Sequence, residues 1–263
     1  MKRSVNLIDD VGKNKLARWA ELETFGNVIQ AGAGHESGED HPLKGKWRDK
    51  IFGNNNPVVL ELACGKGEYT LGLATIFPEK NYIGIDIKGA RMWRGAKTAS
   101  EKGLKNTAFL RTRIEFINSF FTKDEVDEIW IVFPDPHNRK RNSNKRLTSP
   151  WFLNKYRLLM KDGGLIHLKT DNQELFRYTE KLVKNNGLEI LRSTDDMYVG
   201  NPDVSVPFFS FLPGIGVYGT DEMIPERIFS LRTHYEKMFL DKGLKICYLA
   251  FKLNKNTIVK DEQ

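Results

Sequence analysis

Val58-Val59-Leu60-Glu61-Leu62-Ala63-Cys64-Gly65-Lys66-Gly67 decides how this chain folds. An apolar run carries one carboxylate, breaks into small residues, and gives way to a helical pattern from Glu68. Gly65 and Gly67 let the backbone turn sharply and approach a ligand closely. A strand feeding such a turn delivers its ligand to the carboxyl edge of a sheet, where open α/β folds bind. A dinucleotide site wants a third glycine, but Glu68, Tyr69 and Thr70 follow Gly67. Glu61 would also repel a pyrophosphate, whereas it suits the sulfonium and amino groups of S-adenosylmethionine. Asp86, which closes the next apolar run, is placed to accept both hydroxyls of a ribose. The plainer alternative makes both acids solvated strand ends.

On either side of this stretch the pattern alternates. Strands are predicted over 58–62, 82–85, 107–110, 129–132, 164–169, 188–191 and 244–253. Helices are predicted over 68–77, 90–102, 151–160, 174–184 and 231–240. Ser149 is a plausible N-cap, with Pro150 at the first helical position. Strands separated by helical stretches imply right-handed crossovers and a mostly parallel sheet. Residues 1–56 read as an N-terminal extension, partly irregular, with one short helix over 13–20. Residues 57–263 form the main domain, with a long insertion at about 195–229.

Bulk properties narrow the class. The 263 residues are 40% hydrophobic, enough for a full core. Net charge is +7, which admits a polyanionic partner. Cys64 and Cys247 are the only cysteines, so neither a disulfide framework nor a zinc quartet can form. That composition fits a reducing, cytoplasmic setting. No apolar segment follows Met1-Lys2-Arg3-Ser4-Val5-Asn6, so no signal peptide is expected. The apolar stretch 207–217 is short and broken by Pro213, Gly214 and Gly216, so no membrane span is expected either. His137, His167 and His234 lack ligand spacing, and no metal is assigned.

A second constellation lies at the end of the fourth predicted strand, in Phe133-Pro134-Asp135-Pro136-His137-Asn138. The two prolines stiffen the backbone around Asp135, so this acid can hold a planar substrate at the binding edge. Arg139-Lys140-Arg141-Asn142-Ser143-Asn144-Lys145-Arg146 follows, five cations in eight residues without an acid. Such runs are commonly solvated surface, but on the rim of a site this one suits a phosphate backbone. Lys169-Thr170-Asp171-Asn172 ends the fifth strand at the same edge, and Thr233-His234-Tyr235-Glu236 opens the last helix. Thr233 and Glu236 also match a capping box, which would be a purely local role.

With these residues assembled, the chain resembles the bacterial TrmB-type tRNA (guanine-N7)-methyltransferases over about residues 57–253. The most specific matches are Phe133-Pro134-Asp135-Pro136 with the basic run and Leu147-Thr148-Ser149-Pro150, then Lys169-Thr170-Asp171-Asn172, and Thr233-x-Tyr235-Glu236. The resemblance implies a Rossmann-like, seven-stranded sheet whose last strand is antiparallel, with helices on both faces. It implies methyl transfer from S-adenosylmethionine to N7 of the variable-loop guanine, position 46 of tRNA. Glu61, Gly65, Gly67, Asp86, Arg113 and Asp135 would border the cofactor, with Asp135 also the active-site acid. Arg139, Asp171, Thr233, His234, Tyr235 and Glu236 would hold the target nucleotide. Arg141, Asn142, Ser143, Asn144, Lys145 and Arg146 would contact RNA. Partners are then tRNA, no membrane and no metal, in a monomer or homodimer. Ala63 stands where the family's turn usually has a glycine, and His137-Asn138 replaces its usual Trp-Pro. Other readings are methyl transfer to a different base atom, a nicotinamide-dependent reductase, and a non-catalytic RNA-binding relative.

Overall fold

In a computed structural model of the chain, the described residues are 7–30, 38–198 and 231–261, the side chains of 7–14 excepted. Most of the predicted insertion therefore lies outside the described residues.

The elements run α1 Leu7–Leu22, β1 Val28–Gln30, β2 Val58–Leu62, α2 Glu68–Ile76, β3 Asn81–Asp86, α3 Gly89–Glu101 and β4 Thr107–Arg111. Then come β5 Val126–Val132, α4 Pro150–Leu159, β6 Met160–Thr170, α5 Gln173–Asn185, β7 Ile190–Thr194, α6 His234–Asp241 and β8 Cys247–Leu253. The strands form one sheet in the order β1-β4-β3-β2-β5-β6-β8-β7. All neighbours are parallel except where β8 inserts antiparallel between β6 and β7. Parallel strands put the carboxyl ends of β2, β3, β4, β5 and β6 on one edge, and every predicted site motif hangs from that edge.

The sheet has eight strands where seven were expected. The addition is β1, which pairs with β4 through Val28 and Phe109 at the sheet's margin. Three residues carry too little alternation to register as a strand. It is held from outside: Phe109 N–H donates to the Asn27 carbonyl at 2.8 Å, and Asn27 Nδ2 donates to the Ala96 carbonyl at 3.0 Å. Helix α1 exceeds its predicted span of 13–20, because it packs along α3 rather than standing alone. Strand β6 runs directly out of α4 at Met160, four residues before its predicted start. Ser149 does cap α4, its hydroxyl accepting from Phe152 N–H.

Burial alternates across the strands and divides the core into two sides. Leu60, Leu62, Ile129 and Ile131 face α4 and α5, meeting Phe152, Leu153, Leu175 and Val183. Val59, Tyr82 and Trp130 face the other way, onto Tyr69 and Leu73 of α2. Phe109 of β4 joins Met92 and Ala96 of α3 and Leu22 of α1 on that second side. Here two glycines permit close approach. A Cβ on Gly95 would lie 2.5 Å from the Lys66 carbonyl, and one on Gly67 would lie 2.6 Å from the Phe109 ring.

Alanine outranks glycine inside a helix by about 1 kcal/mol, so Gly95→Ala on open helix would stabilise. Against the Lys66 carbonyl the sign reverses: a net loss of about 1–3 kcal/mol is expected from overpacking. Urea unfolding checks it, and a gain in stability would refute the packing role.

Candidate active site

Strands β2 and β3 end side by side, and two buried carboxylates fasten the glycine turn between them. Asp86 Oδ2 accepts from Gly65 N–H at 2.9 Å, and Oδ1 accepts from Lys88 N–H at 2.7 Å. Each oxygen keeps a lone pair for a further donor. Glu61 Oε2 accepts from Thr70 N–H at 2.7 Å and, in a short contact, from the Thr70 hydroxyl. Glu61 thus faces the first turn of α2 and does not line the neighbouring cleft, unlike the sequence-level picture of a carboxylate presented to a cation. The reason is that Thr70 offers it two donors at once. Burial pushes the Glu61 carboxyl up to about 8; the Thr70 bonds act against this, and the charges of Asp86 and Glu68 add to it. Ala63 adopts φ +59°, the left-handed region that suits the glycine found in related turns.

A cleft of about 430 Å³ opens over the ends of β3 and β4, lined by Ala63, Asp86, Ile87, Thr112, Arg113 and Glu115. Ile87 presents an exposed apolar surface beside the Asp86 carboxylate. Arg113 stands exposed on the rim, 3.9 Å from Glu115. Sequence reading found Asp86 and Arg113 but missed Ile87, Thr112 and Glu115. Their signal is position alone, just past the carboxyl ends of two neighbouring strands. Gly65 and Gly67 shape the turn behind the cleft and are not part of its lining.

β5 neighbours β2, so the Asp135 loop emerges about 5 Å along the edge from the glycine turn. Asp135 is exposed at its crest. Phe133 and His137, two residues either side, both take left-handed backbone angles, φ +47° and +43°. Such conformations cost about 1–3 kcal/mol each and persist where surrounding contacts impose them. The contacts are present: Phe133 N–H donates to the Lys169 carbonyl at 2.8 Å, and Pro134 is buried. Arg146 Nε donates to the Pro136 carbonyl at 3.2 Å.

That last bond corrects one expectation. Arg146 is buried, with its guanidinium 4.3 Å from the centre of the Tyr178 ring, and so braces the acid loop instead of facing RNA. The other cations of the run, Arg139, Lys140, Arg141 and Lys145, are exposed, as is Asn144. Asn142 and Ser143 are half-buried in the same short 3-10 turn.

A second correction concerns Glu236. Its carboxylate lies 2.8 Å from Lys169 Nζ, and both side chains are fully buried. Tyr198 O–H donates to Glu236 Oε1 in a short contact, and Lys169 Nζ also donates to the Leu231 carbonyl at 3.2 Å. The capping box is real: Glu236 N–H donates to Thr233 Oγ1 at 3.2 Å, and Thr233 N–H donates to Glu236 Oε2 at 3.4 Å. Glu236 is therefore enclosed, and Thr233 serves as the N-cap of α6 through its hydroxyl oxygen. Burial pushes the Lys169 ammonium down, and the Glu236 carboxylate opposes that shift. His234 and Tyr235 remain exposed, and His234 N–H donates to Glu68 Oε2 at 2.7 Å, tying α6 to the start of α2. Asp171 is partly buried just beyond β6, and burial pushes its carboxyl up.

Among the described residues no group of His, Cys, Asp and Glu is arranged to hold a metal ion. No helix among them is long and apolar enough to cross a membrane.

Residues 55–205 match a family model described as "Putative methyltransferase". The tRNA (guanine-N(7)-)-methyltransferase of Porphyromonas gingivalis is 46% identical over 236 residues, 88% of this chain and 86% of that protein. The protein of the same name from Bacteroides thetaiotaomicron is 40% identical over 251 residues, 95% of this chain and 90% of that one. Among solved structures, one described as an antibiotic related methyltransferase aligns with TM-score 0.53 at 18% identity, covering 82% of this chain and 96% of that chain. The 16S rRNA (adenine(1408)-N(1))-methyltransferase from Catenulisporales acidiphilia aligns with TM-score 0.52 at 12% identity, covering 81% and 95%. At those identities the structural likeness concerns the fold.

Two outcomes follow from the buried acids. A carboxyl raised to about 8 in the fold stabilises fully below its ordinary value of 4.5, and that stability is lost as pH rises towards 8. Glu61→Gln should therefore flatten the pH dependence of stability between about 4.5 and 8, followed by thermal melts; an unaltered profile would remove Glu61 from that role. Lys169→Met strands the Glu236 carboxylate, and a loss of about 3–5 kcal/mol is expected in urea unfolding. Adding Glu236→Gln should recover part of it, and additive losses would refute the coupling.

Proposed function

We propose, from the premise that this chain belongs to the tRNA (guanine-N(7)-)-methyltransferase family, that it transfers a methyl group from S-adenosylmethionine to N7 of a guanine in tRNA. Identity of 46% over 86% of a relative of that name carries the reading. The target assigned is the variable-loop guanine at position 46, and the working compartment is the cytoplasm.

The cleft suits the cofactor. Its volume of about 430 Å³ falls in the range of small-molecule sites. Asp86 retains acceptor capacity on both oxygens for ribose hydroxyls, and Ile87 offers an apolar surface for a purine. S-adenosylmethionine, when bound, supplies an electrophilic methyl group on a sulfonium. Glu61 contributes at one remove, by holding α2 and the turn through Thr70.

Guanine N7 carries a lone pair and no proton, so the protein need supply no general base. Its work is positioning and electrostatics. Methylation leaves the purine ring cationic and its N1–H more acidic. Asp135, exposed and stiffened by Pro134 and Pro136, accepts from N1–H and the exocyclic amine and stabilises that charge. Asp171, next along the edge, and the exposed His234 and Tyr235 frame the nucleotide. With Glu236 enclosed by Lys169, Asp135 is the acid assigned to the ring. Arg139, Lys140, Arg141 and Lys145 meet the phosphate backbone.

The deciding experiment incubates the protein with tRNA and labelled S-adenosylmethionine, then maps 7-methylguanine; absence of label in the RNA overturns the assignment. In that assay Asp135→Asn should lower kcat at least about a hundredfold while tRNA affinity changes little. A loss confined to affinity would remove Asp135 from the chemistry.

A further inference from the structure

Helix α3 leaves the cofactor cleft carrying a row of cations that the site does not use. Gly89, Met92, Gly95, Ala96 and Ala99 form its buried face. Lys88, Arg91 and Arg94 are exposed, three residues apart, over about 9 Å of helix. Among the described residues none of the three forms an ion pair with an acid. No Asp or Glu occurs from residue 87 to residue 100.

Helix α1 brings a further cation to α3. Arg18 is exposed, with its guanidinium 4.9 Å from the centre of the Trp93 ring, between Met92 and Arg94 on α3. Lys97 approaches the same ring at 5.2 Å. The acid here, Glu21, is already committed: it accepts from Trp93 Nε1 at 2.7 Å and pairs with Lys97 at 2.8 Å. Those contacts hold its carboxyl low, chiefly the bonds from Lys97 and Trp93. Arg18, Lys88, Arg91 and Arg94 are thus exposed cations, and Glu21, the acid that meets the Trp93 ring beside Arg18, is spent on Lys97 and Trp93. Glu101 closes α3, seven residues beyond Arg94.

The placement of the row adds direction. Lys88 follows Ile87, a lining residue of the cleft, so the row starts at the cleft's lip. Helix α3 covers the Phe109 side of the sheet. The Arg139–Lys145 loop leads instead into α4, on the opposite side. The two basic surfaces thus flank the carboxyl edge from opposite faces, and Lys66, exposed in the glycine turn, lies on that edge.

We propose that Lys88, Arg91 and Arg94 of α3, with Arg18 of α1, form a second phosphate-binding surface for tRNA, across the cofactor cleft from the Arg139–Lys145 loop. A folded RNA gripped on both sides of the edge has its target base held over the cleft, not merely tethered beside it. The inference rests on the tRNA reading above.

The test is tRNA binding by the full chain at several salt concentrations, comparing wild type, Arg91→Gln/Arg94→Gln, and a variant neutralised at Arg139, Lys140 and Arg141. Glutamine suits an exposed helix position, so folding should survive. S-adenosylmethionine binding and melting temperature report whether it has. Losing two phosphate contacts should make the log–log salt slope shallower by about 1.5 and weaken tRNA binding about tenfold at physiological salt. The rise should fall in KM for tRNA, with kcat nearly unchanged. A double variant matching wild type in slope and affinity, while the loop variant is impaired, overturns the second surface alone. Wild type that binds no tRNA at any salt overturns the surface and the functional reading together.

Discussion

The site depends on how two carboxylates spend their lone pairs. Asp86 joins the ends of β2 and β3 by taking one backbone N–H from each side, Gly65 and Lys88. Glu61 joins β2 to α2 by taking both donors of Thr70. Backbone amides left over by a sharp turn would otherwise be buried without partners, at a cost of about 1–3 kcal/mol each. Gly67 and Gly95 complete the turn, since neither can carry a Cβ against Phe109 or the Lys66 carbonyl. The cleft beside Ala63 and Asp86 is a consequence of that locked geometry.

Four acids along one sheet edge do different work because their surroundings differ. Glu61 is buried with neutral donors, and its carboxyl is pushed up. Asp86 is satisfied by amides yet keeps free lone pairs towards the cleft. Glu236 is buried against an ammonium and caps its own helix. Asp135 is exposed on a rigid loop and is the acid placed to meet a substrate ring. Beneath them the same sheet face buries another charged cluster, in which Glu128 contacts Lys80 at 2.7 Å and His167 at 3.2 Å. Burial would raise the Glu128 carboxyl, but those two partners outweigh it and hold it at about 2. Lys169 and His167 of β6 are both buried on this face, each beside a carboxylate of its own.

Much of this was legible beforehand. Alternation of apolar runs with helical stretches located the central strands, and the prolines around Asp135 marked a stiff loop at the binding edge. Ser149 announced the start of α4 because capping is a local hydrogen-bond requirement, readable from neighbours in sequence. β1 was not legible, because its three residues are a strand only through β4 and Asn27. The cleft residues Ile87, Thr112 and Glu115 carry no motif and matter by where their strands end.

By itself, then, the sequence determined the sheet, the binding edge and the family, since periodicity, turn residues and motif order are properties of neighbours along the chain. Only the tertiary structure decided which of the marked side chains are available. Arg146 sits in a basic run yet is buried on Tyr178, and Glu236 sits in a family motif yet is enclosed by Lys169. Arg18, far from α3 in sequence, is brought against its Trp93 ring only by the packing of α1. Local pattern sets which groups a segment owns; packing between distant segments sets whether a charge meets a partner inside the fold or a ligand outside it.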